Sequence, residues 1–134
     1  MNPRILPRLL AMLALLGFVT TAPAAELAIA TTRHDTGEVI PARIHLTGPD
    51  GRPVRATNDV PFWHDHVSAP GRAVFNVAPG RHSITVERGP EWSSESAVVE
   101  IVPGQTATNV SFALSRLVNL PVEGWWPGET HIHR

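Results

Sequence analysis

A period of two runs through this chain and sets the limits on its fold. Leu27, Ile29 and Thr31 alternate with smaller residues, and Ala42, Ile44 and Leu46 alternate with Arg43, His45 and Thr47. Phe75 and Val77 flank Asn76, while Ile84 and Val86 alternate with Ser83, Thr85 and Glu87. Val99 and Ile101 flank Glu100, and Val110, Phe112 and Leu114 alternate with Ser111 and Ala113. Successive side chains of an extended strand point to opposite faces, so this spacing buries one face and wets the other. From Glu26 onward no segment carries a helical period.

The punctuation between these runs fits strands. "GPDGRP" at 48–53 reads as a tight reversal, "APGR" stands at 69–72 and again at 78–81, and "VPGQ" follows at 102–105. Proline presets φ at the second position of a turn and glycine supplies positive φ at the third, which favours a type II turn. The flanks of the two "APGR" copies differ, so they are reused turn chemistry and not an internal repeat.

The N-terminus has a different grammar. Arg4 and Arg8 precede an apolar run from Leu9 to Val19, and Ala22 and Ala24 supply the small residues of a cleavage site. This predicts a secretory signal peptide over residues 1–24, cut after Ala24. The run is too short for a bilayer span, which needs about 20 apolar residues. The expected location is the periplasm or the extracellular space, with no membrane attachment after cleavage. The chain has no cysteine, so neither a disulfide nor a lipid-bearing thiol is available, and the core alone must hold the fold.

Charge excludes one class of partner. All 11 basic residues are arginine, and removing Arg4 and Arg8 leaves nine against 12 acidic residues, with no basic run. Neutralising phosphates needs clustered cationic side chains, so no nucleic-acid partner is expected.

Six or seven short strands predict an all-β domain, a Greek-key-like β-sandwich of transthyretin or immunoglobulin type; a small barrel is the alternative. The segments "PARIHLTGPDGRPV" and "FNVAPGRHSITVERG" resemble the carboxypeptidase regulatory-like sandwich, an accessory module of secreted enzymes. On this reading residues 25–117 form the sandwich. Residues 118–134 form a linker and the start of a further domain.

The chain ends on "GWWPGETHIHR". If Thr130 to His133 begin a strand, positions i and i+2 share a face, and His131 and His133 present two imidazoles that can grip a metal. The whole stretch resembles the opening motif of PHP-type metallohydrolases, most closely the CehA/McbA-type branch. That resemblance implies the first strand of a (β/α)7 barrel whose other strands are missing here. It also implies that His131 and His133 are metal ligands, with Glu129 at the acidic position where the family usually has Asp. Zinc, manganese or iron would then generate the hydroxide that attacks a phosphoester, ester, amide or carbamate of a small-molecule substrate. A catalytic zinc site takes about three protein ligands and an open position. This chain alone is therefore expected to be inactive and to hold metal weakly. Trp125 and Trp126 are expected to pack the join between the sandwich and the barrel.

A second His-x-His lies in "PFWHDHVSAP", where His64 and His66 flank Asp65. It reads as a loop or edge strand with its polar residues in water; the alternative is a small metal site beside Trp63. His34, His45 and His82 occur singly and are expected at the surface or in the core. Asp35, Glu38 and Asp50 read as turn residues, and Asn109-Val110-Ser111 as part of the last strand.

Two functions of different class follow. One is the N-terminal fragment of a secreted metal-dependent hydrolase, completed by the missing barrel or by another polypeptide. The other is a complete secreted binding module for a glycan, peptide or protein, with Trp63 and Trp92 as its first candidate contacts.

Overall fold

A computed structural model describes residues 23–126 and Gly128. Nearly all of the expected signal peptide lies outside the described residues, as do Glu129, His131 and His133. The described residues form an all-β sandwich of two sheets, built from β1 (Ala25–Arg33), β2 (Ala42–Thr47), β3 (Phe62–Trp63), β4 (His66–Ala69), β5 (Arg72–Val77), β6 (Gly80–Glu87), β7 (Glu95–Ile101) and β8 (Ala107–Leu114). One sheet has the order β5-β1-β8 and the other β3-β4-β2-β6-β7. The first is mixed, with β1 antiparallel to β5 and parallel to β8. The second is antiparallel throughout.

The alternating residues are the ones that close the core. Leu27, Ile29, Phe75 and Leu114 from one sheet meet Ile44, Leu46, Ile84 and Val86 from the other in a single buried cluster. Removing apolar surface of this size from water is the main favourable term in folding. Without cysteine, it has no covalent help. His82 also belongs to the interior, where its Nε2 lies 2.9 Å from the Ala78 carbonyl and donates to it.

The two "APGR" segments depart from the expected turn. Gly71 and Gly80 have φ of 138° and 131°, far from the roughly +80° of the third position in a type II turn. The chain is not reversing within a sheet there. Pro70-Gly71 carries it from β4 in the five-stranded sheet to β5 in the other, and Pro79-Gly80 carries it back to β6. The backbone passes neighbours so closely at these corners that a Cβ on Gly80 would lie 2.7 Å from Pro49 Cγ. "VPGQ" does follow the type II expectation, with Gly104 at φ 85° and the Gln105 N–H donating to the Val102 carbonyl at 3.1 Å.

The sandwich has eight strands where seven or nearly so were expected. The additions are β3 and β4, a hairpin on the edge of the larger sheet. After β8, Arg116 bridges to Trp92, and a 3₁₀ turn at Leu120–Glu123 buries nothing. Trp125 and Trp126, which follow this turn, are exposed. No helix among the described residues is long and apolar enough to cross a membrane.

Candidate functional site

The outer face of the five-stranded sheet, where β2 meets the β3–β4 hairpin, gathers the polar side chains. The register pairs Arg43 with Ser68 and Ile44 with Val67. Ile44 and Val67 are buried, so the residues next along each strand, His45 and His66, turn outward together. Their ring centres are 5.0 Å apart with 41° between the planes.

Asp65 closes the group from the turn. Its Oδ1 lies 3.0 Å from His66 Nδ1 and its Oδ2 lies 3.4 Å from His45 Nδ1. The other nitrogen of His45, Nε2, lies 3.5 Å from Glu87 Oε1 on β6, and Glu87 also meets Arg43 at 3.4 Å. The hydrogen bond from His66 holds the Asp65 carboxyl below its ordinary value against partial desolvation, with a smaller contribution from neighbouring His45.

Two residues make the hairpin that carries this group. Phe62 and Trp63 pair with Val67 and His66, leaving only His64 and Asp65 to turn the chain. His64 has φ of 53°, the only positive φ outside glycine among the described residues. Two-residue hairpins favour positive φ in the turn because it matches the twist of the strands. The consequence breaks the His-x-His pattern. His64 is not on a strand, so it does not share a face with His66, and its ring instead meets Trp63 edge-on at 4.7 Å.

The expectation for "PFWHDHVSAP" is thus half met. It is an edge hairpin exposed to water, and Trp63 is 67% exposed. His66 has a neighbouring imidazole after all, but the partner is His45, which the sequence presents as an isolated histidine. Trp92, the other candidate contact, is part of the structure's packing. It rests against the core, with the Arg88 and Arg116 guanidinium groups 5.3 Å and 5.8 Å from its ring centre and Arg116 bonded to Glu91 at 2.6 Å.

Beside the hairpin an open groove of about 580 Å³ runs between Pro41, Val60, Pro61 and Pro70, with Arg43 and Arg88 on its walls. Ser68 and Ala69 of β4 line it too, so the groove and the histidine cluster share β2 and β4. Asp35 and Asp50 are turn residues as expected: Asp35 pairs with Arg33 and Asp50 accepts from the Arg52 N–H at 3.1 Å.

No protein-family model and no curated protein matches the chain. Among solved structures it is similar to the pilus-presented adhesin Cpa. A cysteine-to-alanine mutant of that adhesin aligns at 10% identity and a TM-score of 0.42, over 73% of this chain and 28% of the adhesin. A second crystal form aligns at 11% identity and a TM-score of 0.40, over 72% and 28%. The chain therefore spans about 28% of the length of the structures it matches.

Proposed function

We propose that this chain is an exported β-sandwich binding module that recognises a glycan through the β3–β4 hairpin. The observation that carries this reading is Trp63, which is 67% exposed at the end of a two-residue strand, beside a turn that fixes its place. A large rigid aromatic ring held in water offers contact area at low entropic cost. On this hairpin the other apolar residues turn inward, with Val67 and Ala69 buried and Phe62 partly so. Trp63 is surrounded instead by groups that exchange hydrogen bonds: His64, Asp65 and His66. A flat apolar ring with polar neighbours suits a sugar, which has an apolar ring face and hydroxyls at its edge. A protein partner would call for a broader apolar patch.

The test is affinity electrophoresis of the full chain through gels holding a panel of soluble polysaccharides. At least one is expected to retard the protein, and Trp63→Ala is expected to abolish the retardation. Free passage through every gel, or retardation that survives in Trp63→Ala, contradicts the reading.

The hydrolase reading depends on Glu129, His131 and His133 and on strands beyond Arg134. As an accessory module of such an enzyme, the same hairpin would hold the catalytic domain on a polymeric substrate.

A further inference from the structure

The geometry points to a divalent metal site formed by His45, Asp65 and His66 on the outer face of the larger sheet, suited to zinc. This goes beyond the recognition role proposed for Trp63 and does not depend on it.

The first ground is spacing. One ligand atom from each of the three residues lies within 4.8 Å of the other two. Zinc bonds of about 2.0–2.1 Å in a tetrahedron place ligand atoms about 3.3 Å apart. Asp65 already meets the two rings through different oxygens, Oδ2 at 3.4 Å from His45 Nδ1 and Oδ1 at 3.0 Å from His66 Nδ1. Closing the remaining His45 to His66 gap takes movement of Asp65 and His66, which sit on a short edge hairpin.

The second ground is the direction of the ring nitrogens. His45 faces a carboxylate with each: Asp65 with Nδ1 and Glu87 with Nε2. A neutral imidazole has one N–H. When that hydrogen is on Nε2 and points to Glu87, the Nδ1 lone pair faces the Asp65 carboxylate, and two electron-rich groups oppose each other. A metal ion between them converts the repulsion into two bonds. Glu87 then fills the role that carboxylates commonly have behind metal-bound histidines, fixing the tautomer and raising the basicity of the ligand. Arg43, which pairs with the same Glu87, keeps that carboxylate in place.

The donor set chooses among metals. Two imidazoles and one carboxylate suit zinc and its transition-metal neighbours, whereas calcium and magnesium prefer oxygen ligands alone. Three protein ligands leave a fourth position open. For His66 to bind through Nδ1 its N–H moves to Nε2, and the hydrogen bond to Asp65 gives way to a metal bond from each residue.

The experiment is calorimetric titration of zinc chloride into the full chain carrying His131→Ala and His133→Ala, so that the terminal pair contributes nothing. One zinc per chain is expected, with the ring nitrogens of His45 and His66 shifting in long-range ¹H–¹⁵N spectra. His45→Ala, His66→Ala and Asp65→Asn should each weaken binding by at least about tenfold. His45→Gln serves as a second variant of similar size should His45→Ala fail to fold. His64→Asn, which suits the positive φ of that turn, should leave the affinity within about twofold. Absence of zinc binding, or binding that His45 and His66 variants leave intact, overturns the proposal. Loss of binding on His64→Asn alone does so as well. No polysaccharide is present, so the result is independent of the glycan reading.

Discussion

Gly71 passes so close to Val39 that a Cβ on the glycine would overlap Val39 Cγ1. The contact sits at the corner where the chain leaves one sheet for the other, and φ there is 138°. Gly51, by contrast, has φ of 75° and open space where its Cβ would stand. Gly71→Ala therefore combines backbone strain with overpacking and is expected to cost about 3 kcal/mol. Gly51→Ala carries only the left-handed penalty of about 1–2 kcal/mol. Urea midpoints of the two variants should differ in that order; equal midpoints would mean that Val39 moves aside freely.

Phe75 is the largest fully buried side chain among the described residues and joins the two sheets from β5. Truncation to alanine is expected to remove about 3–5 kcal/mol of stability. Val98 on β7 is 51% exposed, and Val98→Ala should change stability by no more than about 0.5 kcal/mol. Denaturant titration followed by far-UV circular dichroism reads both.

The two tryptophans of the sandwich should separate by role. Trp92 is packed between Arg88 and Arg116 and against the core, and Trp92→Ala is expected to cost about 2 kcal/mol. Trp63→Ala should leave the melting midpoint close to that of the parent while removing glycan retention. A large fall in stability from Trp63→Ala would assign that ring to the fold instead of to recognition.

Asp35 gives a pH prediction with a definite sign. The hydrogen bond from Arg33, aided by its charge, holds the Asp35 carboxyl below its ordinary value of 3.8. A carboxyl lowered in the folded state stabilises it above the ordinary value, and that contribution fades as pH falls through the lowered one. Carboxyl ¹³C titration should show Asp35 ionising below an ordinary aspartate, and Arg33→Gln should return it to that range. The pair is exposed, so its share of stability is small.

The strands that pair most extensively were visible in the sequence because each has one wet and one buried face. Leu27 with Ile29, Ile44 with Leu46, and Ile84 with Val86 announce themselves by period two, the spacing that puts both members of each pair on one face of a strand. The "APGR" segments were visible as breaks, but their geometry was not. Pro-Gly states that the chain bends; whether it bends within a sheet or across to another depends on where the flanking strands pair.

The histidine cluster was hidden for a related reason. "HDH" directs attention to His64 and His66 by the i, i+2 rule, which applies only if all three residues are extended. The β3–β4 hairpin turns at His64 and Asp65, so the rule fails there.

Local alternation, then, determined from sequence alone that this chain is all-β and which faces of its longer strands lie inside, because strand geometry is a property of neighbouring residues. Tertiary structure alone decided that His45 meets His66 and Asp65 across 20 or so residues of chain. That meeting is set by the register of β2 against β4, and register is fixed by how Ile44 and Val67 pack in the shared core, a long-range condition that no short window of sequence contains.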